Sequence, residues 1–152
     1  MAAHALSNAL EFVERCHSVS DIDTVIAEFR TFIAGYGFNA SVCGAWDGLG
    51  QQRVHCFFFN DWPESWLTIY TEKDFVSADP FVEEARRAIA PFVWSEIERH
   101  RPLTPRAKDI YDVAHEYGWR EDIGIPIHGP AGYQGMVSPA SMKDITLSAA
   151  DL

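Results

Sequence analysis

Residues 38–59 read FNASVCGAWDGLGQQRVHCFFF. In the first part Phe38, Ala40, Val42 and Gly44 alternate with Asn39, Ser41 and Cys43, the period of a strand with one buried face. Arg53 to Phe59 reads as a second strand. The tract Asp47-Gly48-Leu49-Gly50 between them is turn chemistry, so the pair is expected to form an antiparallel hairpin. The same pattern returns toward the other end, where Ile123 to His128 and Tyr133 to Ser138 flank Gly129-Pro130-Ala131-Gly132. Two hairpins separated by helical segments predict an α+β architecture, an antiparallel sheet covered by helices.

The helical segments announce themselves by their starts. Ser20 with Asp23 three residues on reads as a capping box, followed by Ile22, Val25, Ile26, Phe29 and Ile33 on one face, with Gly35 and Gly37 as the stop. A weaker helix is expected around Ala5 to Cys16. Asp61-Trp62-Pro63-Glu64 has the form of a helix start with an early proline and a capping carboxylate, running to about Glu72. Asp79-Pro80 opens another helix, ending before Pro91, and Pro91 to Trp94 is a short extended piece. Thr104-Pro105 begins a further helix with Ile110, Val113, Ala114 and Tyr117 on one face and Gly118 after it. Ser148-Ala149-Ala150-Asp151 again has the capping form, yet only Leu152 follows, which predicts that residues 1–152 are part of a longer protein.

Composition bounds the function. The 152 residues are 47% hydrophobic, enough for one domain with one core and no linker or repeat. Twelve basic residues against 22 acidic ones give a formal charge of −10, so this chain alone is not expected to hold a nucleic-acid backbone. No run approaches the roughly 18 apolar residues of a membrane span, and Met1 to Leu10 lacks the form of an export signal. Cys16, Cys43 and Cys56 are an odd, sparse set without CxxC spacing that points to free buried thiols in a reducing cytoplasm. Ten Phe, five Trp and five Tyr are the one excess, and the tryptophans ask for an explanation.

The densest constellation lies between Trp62 and Trp94. Trp62, Trp66 and Tyr70 fall at i, i+4 and i+8 and form one aromatic stripe. Asp79, at a helix N-terminus, sits where backbone N–H groups favour a carboxylate. Each residue alone reads as core or cap. Enzyme signatures are weak by comparison. His55 and Cys56 are adjacent and so point to opposite faces of a strand, Cys16 and His17 are also adjacent, and His115 and His128 lack metal-ligand spacing. Neither GxSxG nor a phosphate loop occurs. Glu83-Glu84-Ala85-Arg86-Arg87 reads as a solvated helix face.

Taken together, Trp66, Tyr70, Asp79-Pro80 and Phe92-Val93-Trp94 resemble the autoinducer-binding domain of LuxR-type quorum-sensing regulators. Asp61-Trp62-Pro63-Glu64-Ser65-Trp66, Gly118, Ile125-Pro126-Ile127-His128-Gly129-Pro130 and Gly132 extend the resemblance over nearly the whole chain. It implies an α-β-α sandwich, with a pocket between the sheet and one helical layer and an N-acyl-homoserine lactone as ligand. It also implies ligand-binding roles for Trp66, Tyr70, Asp79 and Trp94, with Trp62 and Ser138 as further candidates.

The residue inventory agrees with those roles. An indole N–H such as that of Trp66 can only donate, which suits the lactone carbonyl, and an ionised Asp79 can only accept, which suits the amide N–H. The Tyr70 hydroxyl can donate toward the amide carbonyl or a nearby oxygen, and the Trp94 ring can pack on the lactone. By the same resemblance the chain is a receptor and not an enzyme. It would form homodimers and reach DNA only through a C-terminal helix-turn-helix domain absent from this chain.

Two positions depart from the family pattern. Trp62 stands where a tyrosine is usual, and Asp122 where a glycine is usual, so Asp122 is an exposed strand end, a carboxylate that needs solvent or a partner, or the mark of a variant with altered ligand response or stability. A sensory module of the GAF or PAS kind for another small ligand is the alternative on fold grounds, and a cysteine- or histidine-dependent hydrolase a more distant one.

Overall fold

A computed structural model describes residues 2–46 and 55–145. Five strands form one antiparallel sheet in the order β2-β1-β5-β4-β3, where β1 is Ala40–Trp46, β2 His55–Asn60, β3 Phe92–Val93, β4 Glu121–His128 and β5 Gln134–Ser141. Each expected hairpin is present as an antiparallel pair. The two are joined edge to edge by β1 and β5, with Val42 opposite Ser138 and Gly44 opposite Met136.

Strand alternation divides the sheet into two faces. Ile123 and Ile125 on one face pack with Phe29, Phe32 and Ile33 of α2 (Ile22–Ala34). Helix α1 (Ala2–Ser18) covers α2 in turn, with the Phe12 and Phe32 rings 4.7 Å apart and Arg15 paired with Glu28 at 2.7 Å. The opposite face carries Val42, Gly44, Met136, Ser138 and Ala140. It is covered by α3 (Glu64–Glu72), α4 (Pro80–Ala85), α5 (Trp94–His100) and α6 (Pro105–Tyr117), which build the larger core around Trp66, Phe75 and Tyr111. The result is an α-β-α sandwich.

One irregularity serves both layers. The β1–β2 register shifts between Cys43 and Gly44, so that Phe59 lies opposite Cys43 and Phe57 opposite Gly44. In a regular strand, residues 57 and 59 would share a face. The extra residue of the bulge sends Phe59 toward Phe29 on α2, at 6.2 Å, and Phe57 toward Trp62, also at 6.2 Å.

Several local expectations are corrected. The cap of α2 is Asp21 and not Ser20: its carboxylate accepts the Thr24 N–H at 2.8 Å and the Thr24 hydroxyl at 2.7 Å. Asp61 does not cap α3, whose N-cap is Pro63 without a side-chain bond. Its carboxylate is taken instead by Arg30 at 2.6 and 3.0 Å and by the buried Ser41 hydroxyl at 2.8 Å. Helix α1 is longer than Ala5 to Cys16, and α4 stops at Ala85, well short of Pro91. Helix α5 follows directly on the two-residue strand β3, where sequence periodicity gave no sign of it. The caps at Asp79 and Thr104 form as expected, accepting the N–H of Phe81 and Ala107. Gly118 ends α6 at φ +120°, a conformation that side chains disfavour. The Asp47–Gly50 turn and the Ser148–Asp151 cap lie outside the described residues.

Candidate ligand site

Between the sheet and the α3–α6 layer lies a cavity of about 890 Å³, counted to its open mouth. All six residues singled out in the sequence line it. Helix α3 supplies Trp66 and Tyr70 from one face, Trp62 stands just before α3, and Asp79 caps α4. Trp94 opens α5, and Ser138 comes from the middle of β5. Local chemistry sets these positions: the i, i+4 spacing of Trp66 and Tyr70 stacks them on a helix face, and Asp-Pro places a carboxylate at a helix start.

The aromatic lining is continuous. Trp62 and Tyr70 are 5.1 Å apart between ring centroids, Trp62 and Trp66 6.4 Å, and Trp66 meets Trp119 edge-on at 6.2 Å. Trp94 is backed by Tyr111 at 4.6 Å and His115 at 4.7 Å, both on α6. Trp46, with the Arg86 guanidinium 5.5 Å from its ring, completes the set, so all five tryptophans line this one cavity.

Two polar clusters interrupt the apolar wall. In the first, the Tyr70 hydroxyl donates to Asp79 Oδ2 at 2.7 Å and the Phe81 N–H to Oδ1 at 2.9 Å. Burial pushes the Asp79 carboxyl above the usual carboxylate range, with these two hydrogen bonds opposing it. The Tyr70 phenol is driven well above its ordinary value by burial and by the Asp79 charge, so it stays protonated. Its single proton goes to Asp79, which leaves its lone pairs to face the cavity. Of the two acceptors expected for the Tyr70 proton, the amide carbonyl or a nearby oxygen, this structure has it on a nearby oxygen, that of Asp79.

In the second cluster Ser138 Oγ donates to both oxygens of Asp122, at 2.7 and 2.8 Å. Asp122 is therefore a cavity-facing carboxyl with a partner and not an exposed strand end. Burial pushes it well above the carboxylate range; the Ser138 bond opposes this, and the charges of Asp79 and Glu121 add to it. Neighbouring Glu121 is engaged elsewhere, accepting the Ser95 N–H at 3.1 Å and the Ser95 hydroxyl at 2.7 Å. Tyr111 Oη and Trp119 Nε1, both in the lining, are buried and without a hydrogen-bond partner.

Sequence reasoning missed Trp46, Tyr111 and Trp119. Trp46 was within reach, because it shares the even-numbered parity of Ala40, Val42 and Gly44 on β1. Tyr111 and Trp119 carry no local signal, since the three-dimensional packing of α6 alone brings them to the cavity. Among the described residues no cluster of three or more His, Cys, Asp or Glu side chains is arranged to hold a metal ion.

A sheet between two helical layers, with an aromatic cavity and a few fixed polar groups, defines a small-molecule-binding domain. Residues 21–151 match the family described as autoinducer binding domain, and the chain belongs to that family, found in LuxR-type transcriptional regulators. The transcriptional activator protein AhyR of Aeromonas hydrophila is 32% identical over 130 residues, covering 85% of this chain and 50% of that protein. The HTH-type quorum sensing-dependent transcriptional regulator RpaR of Rhodopseudomonas palustris is 30% identical over 142 residues, covering 93% and 57%. The chain thus spans about half the length of the curated relatives it matches. Among solved structures, Escherichia coli SdiA superposes with a TM-score of 0.77 at 15% identity, covering 96% of this chain and 60% of that one. Burkholderia cenocepacia CepR2 gives 0.76 at 17% identity, covering 97% and 84%. At these identities the structural likeness speaks for the fold.

Proposed function

We propose that the cavity binds an N-acyl-homoserine lactone and that occupancy is transmitted to DNA through a C-terminal helix-turn-helix domain outside this chain, in a cytoplasmic homodimer. The observation that carries this reading is a buried, acceptor-only carboxylate, Asp79, set among donor-only indoles in an otherwise apolar cavity. The ligand's amide N–H meets Asp79, its lactone carbonyl meets the Trp66 N–H, and the lactone ring packs on Trp94. Trp62 and Ser138 border the amide and the start of the acyl chain. CepR2, an N-acylhomoserine lactone dependent transcription factor, is in keeping with this ligand class.

Each buried acyl CH₂ contributes about 0.8 kcal/mol and each neutral hydrogen bond about 1 kcal/mol net, so chain fit sets affinity and the polar groups set orientation. The domain acts by binding and not by turnover. A ligand at a hundredfold excess over Kd stabilises its receptor by roughly 2.7 kcal/mol. For a domain of this size that raises the unfolding midpoint by roughly 5–10 °C. Thermal unfolding against short, long, branched and aryl acyl-homoserine lactones tests the reading. A shift with one acyl class is the expected result, and no shift with any member overturns it.

A further inference from the structure

The cavity holds more hydrogen-bonding capacity than a simple acyl-homoserine lactone can use. Such a lactone has one donor, its amide N–H, and otherwise only acceptors. Asp79 and Asp122 both face the cavity, and Glu121 is already satisfied by Ser95. A carboxylate has about four lone-pair sites, and the side chain of Asp122 is met by the Ser138 hydroxyl, shared between its oxygens, and by the Ile123 backbone, which leaves acceptor capacity toward the cavity. Tyr111 Oη and Trp119 Nε1, on residues 2% and 6% exposed, have no partner at all. Tyr111 also lies within electrostatic reach of both Asp79 and Asp122.

One functional group answers this set. A hydroxyl donates one hydrogen bond and accepts two, whereas a ketone only accepts and a methylene does neither. Resting on the reading that the cavity binds an acyl ligand, we propose that Asp122 and Ser138, with the unpaired Tyr111 and Trp119, form a second polar subsite selecting ligands that carry a hydroxyl besides the amide or ester link. The hydroxyl donates to Asp122 and accepts from Trp119 or Tyr111. It belongs either to a hydroxylated acyl chain on a lactone or to an acylated polyol head, and both present the same chemistry to Asp122.

The test measures binding and thermal shift of the purified chain with four ligands of equal acyl length. These are unsubstituted, 3-oxo and 3-hydroxy N-octanoyl-homoserine lactone, and octanoylglycerol. The expected result is that one hydroxylated ligand binds about tenfold tighter than the unsubstituted and 3-oxo lactones; which one does so identifies the hydroxyl's source. Asp122→Gly removes the preference. Asp122→Asn, which keeps shape and the Ser138 bond but adds an N–H donor, moves it toward the 3-oxo lactone. Unliganded midpoints of both variants confirm that they fold. Equal binding of all four ligands, a 3-oxo preference in the parent chain, or a hydroxyl preference that survives Asp122→Gly overturns the subsite and leaves the lactone reading standing. No shift with any of the four overturns the subsite, and the lactone reading stands or falls separately on the wider panel of acyl groups.

Discussion

The Tyr70 hydroxyl donates to Asp79 Oδ2 over 2.7 Å inside the cavity while the Phe81 N–H holds Oδ1, so the carboxylate meets a ligand with one hydrogen bond on each oxygen and its charge partly balanced. Burial raises the Asp79 pKa and the Tyr70 bond holds it down. Protonated Asp79 cannot offer the same acceptor to an amide N–H. Lactone binding is therefore expected to weaken as pH falls through the raised Asp79 value. In Tyr70→Phe that weakening begins at higher pH, with affinity near neutrality about tenfold lower, the loss of one charge-assisted bond. Calorimetric titration between pH 5 and 8 checks this, and superimposable profiles would contradict it.

Asp79 also caps α4 through the Phe81 N–H, so its two tasks separate by substitution. Asp79→Ala loses the cap, worth about 1 kcal/mol, and lowers the unliganded midpoint by roughly 2–4 °C. Asp79→Asn keeps an oxygen for the cap and stays near the parent midpoint. Both variants lose lactone affinity. Equal midpoints for Ala and Asn would remove the capping role.

Trp66→Phe deletes one N–H donor while keeping an aromatic ring in the stripe. Affinity is expected to fall roughly fivefold for every lactone, about 1 kcal/mol, with the ranking by acyl length unchanged. A reordered acyl preference would place Trp66 against the chain and not the lactone.

Asp61 ties three elements together: Arg30 of α2, Ser41 of β1 and the approach to α3. Partial burial works to raise its pKa, but hydrogen bonds from Arg30 and Ser41 outweigh it and hold the group below the usual value. Its stabilisation is thus present above the ordinary carboxylate range and lost as pH falls through the depressed folded value. Asp61→Ala leaves the Ser41 hydroxyl unpaired and costs about 1–3 kcal/mol near neutrality. Denaturant unfolding of parent and variant should converge in acid.

Asp122 has the opposite sign. Its raised folded pKa means the unfolded chain ionises first, so the unliganded domain loses stability as pH climbs from the ordinary carboxylate value through the folded one. Asp122→Asn escapes that loss. Its midpoint should exceed the parent's by a margin that grows with pH, about 2–4 °C for each ~1 kcal/mol, and the margin should vanish below pH 4.

What the sequence disclosed follows the range of the forces involved. Strand alternation, Asp-Pro and Thr-Pro helix starts and the Trp66–Tyr70 spacing act over a few residues and were legible. Asp61 looked like a local cap because Arg30, 31 residues away, leaves no trace in its neighbourhood. The capping pattern in the sequence points to Ser20, and only the backbone geometry at Thr24 moves the α2 cap to Asp21. The β1–β5 pairing that joins the hairpins, like the arrival of Tyr111 and Trp119 at the cavity, depends on contacts between distant segments. Asp122 was visible as an oddity. Its meaning waited on Ser138, 16 residues on.

The bulge in β2 makes residue count matter more than residue type. Phe57 serves the ligand side and Phe59 the α2 side only because one residue is spare between them, and that residue, Phe58, is 58% exposed. A polar substitution at Phe58 leaves both layers as they are. Deleting it restores strict alternation, and one of the two flanking phenylalanines must then change sides, emptying a contact in one layer and crowding the other. This edge of the sheet tolerates spelling changes but not a change in length.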